Sequence, residues 1–329
     1  MNRIPLYPLR FEPIFQYRLW GGRRLSSLLS GPIPEGPVGE AWILSDREDH
    51  PSRVANGSQM GRTLGEIMER FQEQLMGTLA ARLQRFPLLL KFLDATEMLS
   101  VQVHPSDEHQ KLIPKGETSK TEAWVVIEAQ RGSRIYAGLQ PGTTDSNLRH
   151  ALASGAIADR LVGIDPKPGD AVFIPAGTVH TLGNDVVVFE VQQNSDVTFR
   201  LYDWGHIDKK TGRLRPLQVD QAFASIDFGD GTRGLVTPTI EATRPVERER
   251  LFDCAQFRLW RLHGKAPFSV GAWGVPRVIV CIQGSGNIDS VGATYAVDRG
   301  EVWLLPAEIG VCAFLPNDEV ILLEIAIPE

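Results

Sequence analysis

Alternating polar residues between positions 100 and 104 could present metal ligands from a β-strand. Successive side chains of a strand point to opposite faces, so Ser100, Gln102 and His104 would share one face. Val101 and Val103 would share the other, apolar face. An amide oxygen and an imidazole on one face could bind a divalent ion. A histidine that is merely hydrogen-bonded on its strand would give the same pattern, so this segment alone leaves the chemistry open.

A second histidine lies in a motif with glycine and proline at fixed spacing. Residues 169–184 fit the pattern G-x5-P-x-G-x2-H-x3-N at every fixed position. The glycines permit tight turns with positive φ, and the proline fixes the backbone before the turn. The pattern resembles the second motif of the cupin superfamily, in which His180 would open the next strand as a metal ligand.

A carboxylate stands at the start of a predicted apolar strand. Glu122 shares one predicted face with Lys120 and Trp124, directly before a run of apolar residues. An unpaired buried charge is costly, so a buried Glu122 would need a cation or a metal ion beside it. The alternative is a strand end that faces solvent.

Glu190 and Arg200 also lie within predicted strands. Glu190 shares a face with Gln192, and Arg200 shares one with Thr198 and Tyr202. An arginine centred in such a run indicates an anion-binding interior, because its guanidinium donates several hydrogen bonds to a carboxylate or a phosphate. An arginine on an edge strand in solvent is the alternative.

The composition is that of a globular protein and disfavours two classes of partner. Of the 329 residues, 43% are hydrophobic and 22% are charged, and the net charge is −6. This charge disfavours binding to nucleic acid or to anionic membranes, and no apolar run approaches the length of a membrane span. The three cysteines lack metal-ligand spacing. Because residues 1–8 show no signal-peptide pattern, we expect a cytoplasmic protein with reduced thiols.

Short strands dominate the predicted secondary structure. Thr63 and Glu66 form a capping box, and an apolar stripe at helical spacing follows as far as Leu83. Residues 144–162 form a second predicted helical insertion, and residues 208–240 a loop and connector. The first forty residues indicate irregular structure with short strands.

A weak internal repeat indicates two similar barrels. Residues 300–307 repeat the Gly-acid-x4-Pro-Ala form of residues 169–176, but no histidine follows the second copy. We therefore predict a mainly β protein of two cupin-type jelly-roll barrels, with helical insertions in its N-terminal part. Residues 1–240 would form the metal-binding domain, and residues 241–329 a jelly-roll domain without metal.

Several independent motifs occur in the order found in one enzyme family. They are residues 20–22, 39–42, 87–91, 99–105, 120–124, 175–180 and 200–205. On these motifs the chain resembles type I mannose-6-phosphate isomerase in its shorter bacterial form, as far as about residue 204 and only loosely beyond. The resemblance makes residues 1–240 the catalytic domain. It implies a sugar phosphate as the partner and a monomer or homodimer as the assembly.

The resemblance also assigns a metal site. It places the ligands of one zinc ion per chain at Gln102, His104, Glu122 and His180. Two imidazoles, a carboxylate and an amide oxygen suit a divalent ion with positions left open for water or substrate.

The implied reaction interconverts mannose 6-phosphate and fructose 6-phosphate through an enediol, with the metal ion as a Lewis acid. Lys91, Lys120 and Glu190 match positions that line the family's pocket. Lys120 and Glu190 are the expected general acid and base. The family's active-site arginine falls on Arg200, which would stabilise anionic oxygen or assist ring opening. The residues on faces that could bind the phosphate are Lys91, Ser100, Lys120 and Arg200.

Three positions bear on how closely the chain follows these patterns. Gln102 stands where the general cupin motif has its first histidine, a replacement that the resemblance to this isomerase family also implies. His206 stands where the family often has arginine, and Ala41 where serine is common. Either of these last two could alter substrate preference or the charge of the pocket.

Two other functions fit a metal-binding cupin. A non-catalytic cupin that binds or senses a sugar could share the fold and the metal ligands. Such a binder has no need of an acid/base set like Lys120, Glu190 and Arg200. An iron-dependent oxygenase would have histidine-rich ligation, which Gln102 and the isomerase motifs argue against.

Overall fold

The computed structural model describes residues 5–208, 210–229, 234–290 and 292–329. Residues 1–4, part of the segment expected to carry no signal peptide, lie outside this description, as do residues 209 and 230–233 of the predicted connector. Within the described ranges, no helix is both long enough and apolar enough to cross a membrane.

Strands make up most of the regular structure, which confirms the mainly β prediction. In chain order the strands are β1 (Leu9–Arg10), β2 (Ile14–Gln16), β3 (Glu40–Leu44), β4 (Leu88–Ala95), β5 (Val101–Val103), β6 (Glu122–Ala129), β7 (Ile135–Leu139), β8 (Leu161–Ile164), β9 (Ala171–Ile174), β10 (His180–Leu182), β11 (Val186–Gln193), β12 (Phe199–Tyr202), β13 (Ile207–Asp208), β14 (Arg213–Leu214), β15 (Thr239–Ala242), β16 (Glu247–Asp253), β17 (Arg258–Gly264), β18 (Phe268–Gly271), β19 (Arg277–Gln283), β20 (Gly286–Ser290), β21 (Ala293–Val297), β22 (Val302–Leu305), β23 (Val311–Pro316) and β24 (Val320–Ala326). The α-helices are α1 (Leu25–Leu28), α2 (Leu64–Met76), α3 (Asp145–Ala153) and α4 (Val219–Ser225).

Two antiparallel sheets carry the residues that were predicted to do chemistry. The six-stranded sheet has the order β2-β3-β4-β11-β6-β9, and the five-stranded sheet has the order β12-β5-β10-β7-β8. Apolar side chains of both sheets share one buried cluster, with Leu93 and Val188 from the first and Ile135 and Leu182 from the second. The two sheets therefore pack face to face, and polar side chains on their inner faces meet between them.

The C-terminal residues form a second pair of sheets. A seven-stranded sheet, β1-β22-β19-β24-β17-β16-β15, packs on a four-stranded sheet, β18-β23-β20-β21, across a buried cluster that includes Ile279 and Phe314. Strand β1 comes from the start of the chain and pairs Leu9 with Leu304. The N-terminal segment thus belongs to the C-terminal sheet. The two-barrel arrangement and the division between residues 240 and 241 stay predictions.

The capping signal predicted the start of helix α2 correctly, whereas the apolar stripe predicted its end too late. The side chain of Thr63 accepts from Glu66 N–H and Glu66 accepts from Thr63 N–H, which confirms the predicted capping box. Helix α2 ends at Met76, earlier than the stripe to Leu83 indicated. Gly77 ends it with φ of 56°, a conformation that glycine adopts without steric cost.

Two of the predicted insertions differ from the structure. The helical prediction over residues 144–162 is right for α3 and the following 3₁₀ turn, but the chain enters strand β8 at Leu161. The prediction of a loop over residues 208–240 was wrong for α4. Buried Ala222 and Phe223 hold this short helix against the apolar cluster around β5 and β12, a tertiary contact that local spacing does not reveal.

The pairing of β1 with β22 predicts a large stability cost for a substitution far from the site. Leu9 is fully buried, so Leu9→Ala should lower the free energy of unfolding by about 2–5 kcal/mol through lost burial and a residual cavity. Leu214→Ala is the matched control, because Leu214 is 64% exposed. Urea unfolding followed by tryptophan fluorescence measures both. Equal costs in the two variants would contradict the burial of β1.

Candidate active site

Three ligand-type side chains meet between the two N-terminal sheets. Glu122 begins β6 of the six-stranded sheet, while His180 begins β10 and His104 follows β5 of the five-stranded sheet. Their ligand atoms lie within 4.8 Å of one another, and all three residues are buried. Glu122 Oε2 lies 3.3 Å from His104 Nε2, and Glu122 Oε1 lies 3.2 Å from His180 Nε2. The structure thus brings together three of the four predicted metal ligands.

Both imidazoles are oriented by backbone carbonyls. His104 Nδ1 lies 2.8 Å from the carbonyl oxygen of Val197, and His180 Nδ1 lies 2.8 Å from that of Thr178. A carbonyl accepts only, so Nδ1 carries the proton and donates in each case. Nε2 then presents its lone pair toward Glu122, which is the arrangement that metal-binding histidines require.

The electrostatics of the cluster also fit a cation. Burial and the neighbouring charge of Lys120 lower the pKa of His104 to about 3, which keeps the imidazole neutral at physiological pH. Burial would raise the pKa of Glu122, but the charge of Lys120 outweighs it and holds that pKa well below its usual range. Glu122 Oε2 has the Lys120 ammonium as its partner at 2.8 Å, but Oε1 faces only the unprotonated Nε2 of His180 and has no donor among the described residues, which is the state expected of a carboxylate oxygen that binds an ion.

The fourth predicted ligand lies beside the other three. The side-chain amide nitrogen of Gln102 is 3.1 Å from His180 Nε2, and Gln102 pairs with His180 across β5 and β10. A half-turn of the amide group would place its oxygen there instead. Gln102 can therefore complete a set of two imidazoles, one carboxylate and one amide oxygen for a divalent ion.

A cavity of about 470 Å³ opens beside this cluster. The predicted site residues that line it are Lys91, Ser100, Gln102, Lys120, Glu190 and Arg200. All the predicted catalytic and substrate-binding side chains thus face one space. Gln102 and Lys120 line the cavity and also contact the cluster, so the cluster lies directly behind this part of the cavity wall.

A row of side chains crosses the six-stranded sheet on the cavity side. The strand register pairs Trp42 with Lys91, Lys91 with Glu190, and Glu190 with Trp124. Lys91 Nζ lies 3.5 Å from Glu190 Oε1 and 4.8 Å from the centre of the Trp42 ring. Trp124 Nε1 donates to Glu190 Oε2 at 2.8 Å. Each charge in the row is therefore held by its neighbours on adjacent strands.

The two predicted acid/base residues occupy different electrostatic environments. Burial, and then the charge of Glu122, raise the pKa of Glu190. Burial would lower the pKa of Lys120, but the charges of Glu122 and Glu190 outweigh it and raise that pKa. Lys120 Nζ lies 2.8 Å from Glu122 Oε2 and 3.2 Å from His104 Nε2. An ammonium and a carboxyl group thus stand in one cavity beside the cluster.

Arg200 lies on the five-stranded sheet, opposite the charged row. It pairs with Gln102 across β12 and β5, and its Nε donates to Ser100 Oγ at 3.2 Å. A second donor, Nη1, reaches the carbonyl oxygen of Pro216 at 3.1 Å. Burial, and then the charge of Arg215, lower the pKa of Arg200. These contacts hold the guanidinium at the wall of the cavity.

Sequence reasoning missed several charged residues that line the cavity, among them Arg18 and Glu40. Glu40 accepts from Arg18 Nε at 2.9 Å and from Trp42 Nε1 at 2.7 Å. Burial would raise the pKa of Glu40, but Arg18 and Lys91 outweigh it and lower that pKa to about 2. The signal was present, because Glu40 shares a strand face with Trp42 and an unpaired buried carboxylate is costly.

The two departures from the family pattern lie outside the cavity wall. Ala41 is fully buried and packs in the apolar cluster on the other face of its strand. His206 Nε2 lies 3.6 Å from Glu97, and its Nδ1 lies 3.9 Å from Asp203. Asp203 in turn accepts from Arg215, which does line the cavity. His206 can therefore act on the cavity only through these neighbours.

Comparison with known proteins gives one consistent result. A model of the phosphomannose isomerase type I catalytic domain matches residues 9–133. Mannose-6-phosphate isomerase ManA of Bacillus subtilis is 36% identical over 313 residues, which are 92% of this chain and 94% of that protein. Mannose-6-phosphate isomerase of Streptococcus mutans is 33% identical over 317 residues, 95% and 97% of the two chains. The crystal structure of the mannose 6-phosphate isomerase from Bacillus subtilis superposes with a TM-score of 0.89 at 28% identity, covering 98% of this chain and 99% of that one.

The arrangement of the imidazoles predicts which substitutions remove a bound ion. His104→Ala and His180→Ala should each leave the protein folded but without stoichiometric divalent metal, because each removes one of the converging ligand atoms. Atomic emission spectroscopy of the purified variants measures the content. His150→Ala is the control, since His150 is exposed on α3. Full metal content in either cluster variant would mean that the site lies elsewhere.

Proposed function

The chain belongs to the type I phosphomannose isomerase family, and we propose that it interconverts mannose 6-phosphate and fructose 6-phosphate as a zinc-dependent enzyme. One observation carries the proposal most directly. The ligand cluster of His104, Glu122 and His180 lies directly behind the wall of a cavity that Lys120, Glu190 and Arg200 line, and Lys120 contacts the cluster. A reaction that shifts protons between adjacent carbons needs such an acid/base set, whereas simple binding does not.

Zinc is the ion that we propose for the cluster, with Gln102, His104, Glu122 and His180 as its ligands. Nitrogen and oxygen donors in a set of four suit zinc and leave room for further coordination. When bound, zinc would supply Lewis-acid polarisation of the sugar oxygens. The buried Glu122 Oε1, which has no hydrogen-bond donor among the described residues, supports this assignment.

The chain's own residues supply the proton transfers in the proposal. Conversion of the aldose to the ketose removes a proton from C2 and delivers one to C1, while a proton moves from the oxygen on C2 to the oxygen on C1. Lys120 and Glu190 are the proposed general acid and base, because both line the cavity beside the cluster. The hydrogen bond from Trp124 and the nearby ammonium of Lys91 keep the Glu190 carboxyl group in place.

In the proposal, the cationic and hydroxyl groups that line the cavity bind the sugar phosphate. Arg200 and Ser100 are hydrogen-bonded to each other on one wall, while Lys91 and Lys120 extend from the other. Guanidinium and ammonium groups are the usual partners of phosphate oxygens. We propose that these four residues hold the substrate and that Arg200 also stabilises anionic oxygen during ring opening or enediol formation. The proposal places the enzyme in the cytoplasm, as a monomer or homodimer.

A coupled assay that detects fructose 6-phosphate formed from mannose 6-phosphate tests the function. Zinc-loaded protein should turn over, chelator-stripped protein should lose at least 100-fold in rate, and added zinc should restore it, because Lewis-acid stabilisation contributes several kcal/mol to such steps. The same stripped protein returned to buffer without zinc is the control. No turnover by the zinc-loaded protein would leave the sugar-binding cupin as the better interpretation.

Arg200→Ala separates catalysis from metal binding. The variant should fold and retain its zinc, yet lose about 10²–10³-fold in kcat, which is the typical cost of removing one preorganised donor to a developing charge. Steady-state kinetics and zinc content measured on the same preparation check both parts. Arg213→Ala is the control, because Arg213 is exposed on strand β14, in a different sheet from Arg200. Normal turnover in Arg200→Ala would exclude it from the catalytic set.

A further inference from the structure

An ion pair outside the cavity holds the segment that orients one metal ligand. Arg47 donates to Glu117 through both terminal nitrogens, at 3.0 Å and 2.6 Å. Both side chains are largely withdrawn from solvent, with 14% and 17% exposure. Two parallel hydrogen bonds between guanidinium and carboxylate fix the geometry of the pair as well as stabilising it. The two hydrogen bonds from Arg47 therefore hold the Glu117 carboxylate in one position.

Glu117 uses the same carboxylate to hold residues 195–197. Its Oε2 accepts from the backbone N–H of Asp196 at 2.9 Å and from the hydroxyl of Ser195 at 3.0 Å. These residues lie between β11 and β12 and belong to no strand or helix. Because they lack a ladder of strand hydrogen bonds, their position depends on side-chain anchors of this kind.

The same segment makes three contacts toward the ligand cluster and the cavity beside it. The carbonyl oxygen of Val197 accepts from His104 Nδ1 at 2.8 Å. The carbonyl oxygen of Ser195 accepts from the side-chain amide of Gln192, which pairs with Glu122 across β11 and β6. The carboxylate of Asp196 lies 3.7 Å from the ammonium of Lys91.

We propose that Glu117 is a positioning residue: through residues 195–197 it aims the Val197 carbonyl at His104 and thereby sets the affinity of the cluster for its metal ion. This inference rests on the metal site proposed above. The chemical reason is that the hydrogen bond at Nδ1 fixes both the ring orientation and the tautomer of a ligating imidazole. Arg47 is a second positioning residue in this proposal, because its two hydrogen bonds hold the Glu117 carboxylate.

Zinc affinity of the metal-stripped full chain, measured by competition with a chromophoric chelator, tests the inference. Glu117→Ala should raise the zinc dissociation constant about tenfold. This is the low end of the range for groups that orient metal ligands, because Glu117 contacts His104 only through residues 195–197. Arg47→Ala should weaken binding by a similar factor. The double variant should add little to either, since both substitutions release the same segment.

The matched control is Glu48→Ala. Glu48 pairs with Arg85 at the same surface cavity that Arg47 and Glu117 line, but its side chain is 84% exposed and it makes no contact with residues 195–197 in the described structure. This variant should keep the wild-type zinc dissociation constant within about twofold. A loss in the control as large as in Glu117→Ala would point to a nonspecific effect of surface charge and overturn the inference.

Two further measurements distinguish positioning from stability alone. Thermal unfolding of the metal-free variants reports their stability. The absorption spectrum of the cobalt-loaded protein reports the geometry of the metal ligands. If Glu117 only stabilised the fold, its substitution would leave this spectrum unchanged. Glu117→Gln retains the shape of the glutamate side chain and one acceptor oxygen. If Glu117→Ala fails to fold, the zinc affinity and cobalt spectrum of Glu117→Gln test the positioning role instead. Wild-type zinc affinity and an unchanged cobalt spectrum in a folded Glu117 variant would refute the positioning role. Failure of the wild-type chain to bind zinc would instead refute the metal site itself.

Discussion

The inner face of the six-stranded sheet carries charges that are withdrawn from water, and the site depends on how they are paired. Lys91 and Glu190 are each 3% exposed and lie side by side on β4 and β11, with Trp42 and Trp124 on the strands beyond. A buried ion costs several kcal/mol unless it is paired and hydrogen-bonded. Strand register satisfies this demand by placing an ammonium, a carboxyl group and indole donors in one row. The same register directs Lys91, Glu190 and Trp124 into the cavity.

The ligand cluster joins the two sheets, so its geometry depends on their spacing. Glu122 approaches from one sheet, and His104 and His180 approach from the other. Apolar side chains of both sheets fill the space beside the cluster and hold the sheets at a fixed separation. An ion bound there would link the sheets directly. Metal binding and the packing of the two sheets are therefore expected to stabilise each other.

Sequence reasoning could identify residues that the structure brings together at the candidate site wherever the information was local in sequence. A period of two places Gln102 beside His104 in strand geometry, and the glycine and proline positions around His180 mark a turn before a strand. Such spacing does not say which strands become neighbours, and that is why the ion pair of Arg18 with Glu40, 22 positions apart, escaped notice. Helix α4 was missed for the same reason, since seven residues carry too little periodicity and its stability comes from tertiary burial.

Both carbonyls that orient the imidazoles lie outside strands. The backbone groups of a strand are taken up by its ladder, whereas Val197 and Thr178 lie in irregular segments whose carbonyl oxygens are free to accept from a side chain. In this chain, the orientation of both histidines therefore depends on the backbone of irregular segments. Loop backbone is held by individual anchors rather than by a ladder, so at the proposed metal site the affinity for an ion would depend on those anchors as well as on the identity of the ligands.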